Sequence, residues 1–169
     1  MHIGIDDLSV YVPDRYLDLA SLAAARGVPA AKFIDGLGQE RMAVPPPDED
    51  IVTMAAAAAA PLLERIDPAT LDTLIVGTEG GVDESKAAAI YVHRLLGLPR
   101  TVKAFEVKQA CCGATCGLGM ALDRVARYSD RRVLVIGSDI ARYEPGSPGE
   151  PTQGAGAVAL LSDMLRDRD

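Results

Sequence analysis

The sequence predicts an α/β fold, in which a mixed, mostly parallel sheet carries helices on both faces. Apolar runs suited to strands alternate with segments of helical periodicity. Several of the strand-like runs are almost continuously apolar, as expected for strands that are covered on both sides. Apolar residues make up 49% of the chain and aromatic residues only 4%, so the core is built from Ala, Val, Leu and Ile. The length of 169 residues predicts a single domain spanning 1–169.

Each element follows from a local signal. The first strand ends at Pro13, the helix after it stops at Gly27, and the break at 45–47 precedes a long Ala-rich helix for which Asp48 is the expected N-cap. The predicted strands cover 3–12, 71–77, 101–107, 132–137 and 154–162, and the predicted helices cover 17–26, 30–35, 51–66, 85–96 and 114–128. A charged tail, 166–169, follows the last strand, and neither a linker nor a second domain is visible.

Composition excludes several classes of function. A net charge of −7 argues against a nucleic-acid surface. The N-terminus lacks a basic region followed by an apolar run, and no stretch of about 20 apolar residues is present, which predicts a cytoplasmic protein without membrane association. The three cysteines, Cys111, Cys112 and Cys116, are too clustered for a disulfide framework and lack the spacing of a zinc site, so no metal is predicted.

The segment 105–115 is the first that could carry chemistry. A strand runs into small residues and Cys111, and a helix then begins. The free N–H groups and the dipole of a helix N-terminus favour a thiolate, which could attack a thioester and hold its acyl group. The alternative is a buried structural cysteine, and packing is the expected role of Cys112 and Cys116.

A carboxylate among glycines forms the second candidate. Glu79 follows an apolar strand directly, within 76–86, and glycines permit close approach of backbone and ligand. Such a carboxylate could act as a general acid or base, with its pKa raised by burial. The alternative is a solvated loop residue or a cap of the next helix.

The third candidate is the Pro/Gly-rich loop within 139–156, between two apolar strands. Long loops in compact domains are often functional, and Ser147 and Thr152 could donate hydrogen bonds to a ligand. The alternative is an ordinary turn-rich connection.

Four segments in the same order and spacing, 36–44, 77–79, 109–111 and 149–158, resemble 3-hydroxy-3-methylglutaryl-CoA synthases. The resemblance extends from Ile3 to about Ser162. It implies a thiolase fold of two similar halves and an acyltransferase that forms a carbon–carbon bond. In that family a cysteine accepts an acetyl group, its enolate attacks the ketone of a β-ketoacyl thioester, and the product is hydrolysed from the cysteine.

The resemblance also implies roles for individual residues. Cys111 matches the nucleophile and Glu79 matches the general acid/base of the family. Ala30 and Lys32 match positions near the CoA nucleotide, and Ser147 and Thr152 match a loop that lines the acyl pocket. No cofactor is implied, because acetyl-CoA or an acetyl-carrier protein is a substrate.

The match covers only the N-terminal half of the family's fold. The C-terminal half supplies a histidine that orients the acceptor thioester, and neither His2 nor His93 matches it. A lone half would leave an apolar face uncovered. A split enzyme whose second chain supplies the other half, a dimer of half-folds and a truncated gene all account for this. The start at Met1 and the end after a strand favour the split enzyme, a hetero-oligomer.

Three departures from the family pattern leave the acyl donor open. Cys112 stands where an aromatic residue is usual, Pro29 replaces an aspartate beside the CoA site, and Ile140 replaces a threonine. The donor and acceptor are therefore CoA esters or, as in polyketide β-branching, carrier-protein thioesters. Two other hypotheses are a non-catalytic structural half-subunit and a thiolase or ketoacyl synthase relative. Glu79 favours the synthase, because those relatives use a histidine as base.

Overall fold

The computed structural model describes residues 2–165, so the charged tail predicted at 166–169 lies outside the described residues. The elements alternate along the chain as expected. The strands are β1 (His2–Tyr11), β2 (Tyr16–Asp18), β3 (Arg41–Ala43), β4 (Leu71–Thr78), β5 (Lys103–Lys108), β6 (Arg132–Ala141) and β7 (Gly154–Leu165). The helices are α1 (Leu19–Ala25), α2 (Ala31–Leu37), α3 (Ile51–Leu63), α4 (Ala88–Leu95) and α5 (Gly113–Arg127).

The main sheet has five strands in the order β1-β7-β6-β4-β5, and it is mixed, as predicted. β4 pairs in parallel with β5 and β6, whereas β7 pairs antiparallel with β6 and β1. Gly77 of β4 is in register with Val107 of β5 and Gly137 of β6. The carboxyl ends of these three parallel strands therefore lie together along one edge of the sheet.

Helices cover both faces of this sheet, which confirms the predicted fold class. α3 and α4 pack on one face and α5 on the other. The Ala-rich part of α3 lies flat on the sheet, with Ala55, Ala58 and Ala59 fully buried. Small side chains let the helix approach the strands closely, as the low-complexity run predicts.

Several predicted boundaries differ from the structure by a few residues, and hydrogen bonds explain two of the differences. The N-cap of α3 is Asp50, not Asp48: the Asp50 carboxylate accepts the N–H groups of Val52 and Thr53, and only the residue directly before the first helical turn can do so. α4 begins at Ala88 and not at residue 85, because the Asp83 carboxylate accepts the N–H groups of Ser85 and Lys86 and holds them in a turn.

A small lobe formed by α1, α2 and the β2–β3 hairpin was not predicted as a unit. β2 and β3 pair antiparallel, and the lobe has its own core around Leu19, Phe33 and Met42. Strands of three residues carry too few alternating positions to be recognised in a sequence.

The face that carries α5 is incompletely covered. Val133 and Val135 pack under α5, and the register of β6, β7 and β1 sets Ile5, Leu8 and Val10 on the same side of the sheet. These three β1 side chains are 42%, 56% and 60% exposed. The predicted uncovered apolar face is thus present among the described residues. Within residues 2–165, no helix has the length and apolar character needed to cross a membrane.

Candidate active site

Cys111 lies at a strand-to-helix junction, as the sequence predicts. β5 ends at Lys108, a 3-10 turn covers Ala110–Cys112, and α5 begins at Gly113. The Cys111 side chain is exposed. The residue before it, Ala110, has φ = 42°, a left-handed conformation that is strained for a residue with a Cβ. The turn therefore presents the thiol to solvent at the N-terminus of a 15-residue helix.

Two glycines allow the start of α5 to sit directly against the end of β4. A Cβ on Gly77 would lie 2.2 Å from the backbone nitrogen of Ala114, and a Cβ on Gly113 would lie 2.6 Å from the carbonyl oxygen of Val107. Neither position can hold a larger residue without moving backbone. This contact brings the segment after β4 to the segment that carries Cys111.

Glu79 follows β4 at this contact, and its backbone is held by a residue that the sequence analysis missed. The Asp139 carboxylate of β6 accepts hydrogen bonds from the Thr78 hydroxyl, at 2.8 Å, and from the Glu79 N–H, at 2.6 Å. Asp139 could have been noticed as a carboxylate at the end of a strand parallel to β4. The Glu79 side chain is exposed in the described part of the chain, whereas the sequence led us to expect a buried one.

The remaining predicted positions divide into two groups. Lys32 and Ser147 line one cavity of about 370 Å³, between α2 and the loop after β6. Ala30 packs instead on the core of the small lobe. Thr152 directs its hydroxyl to the Gly149 carbonyl, at 2.7 Å, and so stabilises its own loop.

Glu150 joins the two walls of that cavity, a role that the sequence did not predict for it. Its carboxylate is buried and receives Nε and an Nη of Arg26 at 2.8 Å and 2.5 Å, together with the Gly146 N–H at 2.8 Å. The Arg26 guanidinium lowers the pKa of Glu150 to about 2. The loop after β6 is thereby tied to the small lobe through α1.

The other two cysteines differ from expectation. Cys112 is exposed, so its predicted packing role is wrong, and Cys116 is half-buried. Their sulfur atoms are 3.4 Å apart. Among residues 2–165, no group of three or more His, Cys, Asp or Glu side chains is arranged to hold a metal ion.

The N-terminal family model of hydroxymethylglutaryl-coenzyme A synthase matches residues 1–164. The chain belongs to the hydroxymethylglutaryl-CoA synthase family. The family member from Enterococcus faecalis is 53% identical over 161 residues, which cover 95% of this chain and 42% of the relative. A polyketide biosynthesis 3-hydroxy-3-methylglutaryl-ACP synthase, PksG of Bacillus subtilis (strain 168), is 38% identical over 173 residues, covering 94% of this chain and 41% of the relative.

Solved structures of the family share the thiolase-like fold of this chain. MvaS in complex with 3-hydroxy-3-methylglutaryl coenzyme A superposes with a TM-score of 0.91 at 48% identity, over 95% of this chain and 40% of that one. The synthase of the curacin biosynthetic pathway, in complex with a holo donor-ACP, superposes with a TM-score of 0.89 at 39% identity, over 95% and 41%. The chain thus spans about 40% of the length of these relatives.

Proposed function

We propose that this chain is the nucleophile-bearing part of a hydroxymethylglutaryl synthase, a condensing acyltransferase that joins an acetyl group to a β-ketoacyl thioester. The observation that carries the proposal is the contact of Gly77 with the start of α5. Because Glu79 follows β4 and Cys111 precedes α5, this contact gathers a carboxylate and a helix-terminal thiol at one edge of the sheet.

The chemistry proceeds through an acetyl-cysteine. The Cys111 thiolate attacks the carbonyl carbon of an acetyl thioester, and the donor thiolate leaves. The Glu79 carboxylate takes a proton from the methyl group of the acetyl-cysteine, and the resulting enolate attacks the ketone of the acceptor. Glu79 then returns the proton to the new alkoxide. Water finally cleaves the thioester, giving the free acid and the Cys111 thiol.

Asp139 is the proposed positioning residue for Glu79. Its carboxylate holds the Thr78 hydroxyl and the Glu79 N–H at the point where the chain leaves β4. Charge-assisted hydrogen bonds to backbone are among the stronger ones in proteins, so this contact limits the directions that the Glu79 side chain can take.

We further propose that a second chain completes the site by supplying the C-terminal half of the family's fold and its histidine. One observation supports this: the apolar row Ile5, Leu8 and Val10 is exposed on the α5 face. An exposed row of this kind is typical of an interaction surface. The second chain would also cover the exposed Glu79 side chain.

A carrier-protein donor is the second candidate for the same chemistry. It is favoured by the similarity to PksG, named for its action on an ACP thioester, and to the curacin synthase bound to donor-ACP. CoA esters are favoured by the higher identity to the Enterococcus synthase. Both donors present a thioester to the same thiol, so they differ in what docks outside the site.

Intact-protein mass spectrometry after exposure to acetyl-CoA tests the proposal. The chain is measured alone and with the C-terminal remainder of the Enterococcus synthase expressed as a separate chain. We expect one added acetyl group, lost in Cys111→Ala and retained in the matched control Cys112→Ala. An adduct that needs the second chain shows that the C-terminal half of the family's fold completes the site.

The other outcomes are equally informative. Acetylation by acetyl-ACP but not by acetyl-CoA selects the carrier-protein donor. In the complemented enzyme, Asp139→Asn is expected to slow condensation more than acetylation, because it acts through Glu79. If no donor and no partner yields a Cys111-dependent adduct, the chain is a structural half-subunit and the proposed catalysis is wrong.

A further inference from the structure

Cys112 and Cys116 form a pair of thiols that the proposed reaction does not use. Their sulfur atoms are 3.4 Å apart, in contact with each other, at the start of α5. Cys112 is exposed and Cys116 is half-buried. The contact does not involve Cys111, which is the nucleophile in the proposed reaction.

The backbone geometry permits the two sulfur atoms to bond. Cys112 precedes α5 but has right-handed helical backbone angles, φ −93° and ψ −10°. Residues four apart in such backbone have Cα atoms about 6 Å from each other, which lies inside the range of about 4.4–6.8 Å that disulfides span. Cys112 precedes the first helical residue and belongs to the 3-10 turn Ala110–Cys112. Its N–H bonds to Gln109 and not into the α5 ladder, so this end of the pair can move with the turn while Cys116 stays in the helix.

We propose that Cys112 and Cys116 are a redox-active dithiol that a two-electron oxidant such as hydrogen peroxide converts into a disulfide across the start of α5. The Cys112 sulfur attacks one peroxide oxygen, which yields a sulfenic acid and water. The Cys116 sulfur then attacks the sulfenic sulfur, forming the S–S bond and releasing a second water. Two thiols and one peroxide thus become one disulfide and two waters.

Exposure and protonation set the order of the two steps. Cys112 reacts first because oxidant reaches an exposed sulfur more readily. The hydrogen bond to Cys112, together with burial, raises the pKa of Cys116 and keeps it a thiol until an adjacent sulfenic acid is available. Cys116 is therefore the resolving residue.

Closing the disulfide would change the nucleophile as well. The sulfur atoms must approach from 3.4 Å to about 2.05 Å, and the movable end is the turn that holds Ala110 and Cys111. Oxidation of the pair is thus expected to displace Cys111 from the N-terminus of α5 and to slow its acylation. This consequence rests on the proposed function, whereas the disulfide does not.

Peptide mapping of the peroxide-treated full chain tests the proposal. The chain is reduced, exposed to hydrogen peroxide, blocked with iodoacetamide and digested. We expect a reversible loss of two hydrogen atoms and a Cys112–Cys116 link, which dithiothreitol removes. The link should persist in Cys111→Ser and disappear in Cys116→Ser, where dimedone should trap a sulfenic acid at Cys112. Far-UV circular dichroism confirms that each variant is folded.

A link between Cys111 and Cys112, or oxidation of all three cysteines without any link, would overturn the proposal. The wild-type map decides this even if a variant does not fold. Acetylation of the reduced chain is measured separately, with the second chain where it is required. If the disulfide forms but the reduced protein is never acetylated, the dithiol stands and the proposed function fails; the reverse result rejects the dithiol alone.

Discussion

Replacing Gly77 by alanine tests whether the β4–α5 contact holds the candidate active site together. The added Cβ would lie 2.2 Å from the nitrogen of Ala114 and 2.5 Å from the carbonyl carbon of Gly113, whereas ordinary contact begins near 3.4 Å. All three of the nearest atoms are backbone, so no side-chain rotation can relieve the clash. The first turn of α5 must therefore move by about 1 Å, which also moves the turn that holds Cys111.

The expected cost is large for a single methyl group. Overpacking of a rigid contact costs about 1–3 kcal/mol, and a clash confined to backbone belongs at the upper end. A loss of about 3 kcal/mol lowers the thermal midpoint by about 6–12 °C in a chain of this size. It is also a substantial part of the roughly 5–15 kcal/mol that stabilises a typical folded protein.

Urea denaturation followed by far-UV circular dichroism measures this cost, and Gly119→Ala is the matched control. Gly119 lies in α5, and outside the backbone of its own helix no atom lies within 4 Å of its would-be Cβ. Alanine there should therefore stabilise the chain by about 0.5–1 kcal/mol. The reactivity of Cys111 toward iodoacetamide should change in Gly77→Ala and not in the control. A free-energy loss below about 1 kcal/mol at Gly77 would refute the reasoning.

Three further predictions concern other features of the structure. Ala110→Gly should raise the free energy of unfolding by about 0.5–1 kcal/mol, since it removes the strain of φ = 42°; an unchanged urea midpoint would contradict this. The Arg26 guanidinium lowers the pKa of Glu150 in the folded chain to about 2, from the 4.5 of a free glutamate side chain. Their ion pair therefore stabilises the chain above pH 4.5 and loses that effect as the pH falls toward 2. Thermal melts across this window should show the loss in the wild type and not in Glu150→Gln. Asp72→Asn should lower the free energy of unfolding, measured by urea denaturation, by about 2 kcal/mol. Two hydrogen bonds from Arg124 to Asp72 tie β4 to α5 and hold the pKa of Asp72 well below its usual range. A loss near zero would mean that solvent fully screens the pair.

Local pattern was enough for the elements that surround the site. The predicted helix 114–128 and the observed α5 differ by one residue at each end, and the strand predicted at 132–137 covers most of the buried part of β6. Both depend on hydrophobic periodicity within about ten residues, which a single sequence carries. The turn at Cys111 follows from the predicted strand 101–107 and the predicted helix 114–128, because it lies at their junction.

Features that depend on distant partners were missed. Asp139 meets Thr78 across 61 positions, and Arg26 meets Glu150 across 124. Neither pair has a local signal, because hydrogen bonds between side chains of different elements form only after strand order is set. The exposure of Cys112 was also not predicted, since it depends on how the turn before α5 packs on the sheet.

The sequence by itself determined the alternation of strands and helices, the family to which the chain belongs, and the two residues, Cys111 and Glu79, most suited to the chemistry. Tertiary structure decided which groups meet them. The order β1-β7-β6-β4-β5 aligns the ends of β4, β5 and β6, and two glycines let α5 approach within backbone contact. The tertiary structure also leaves the apolar row of β1 exposed, because the burial of a strand depends on what covers it and not only on its own residues.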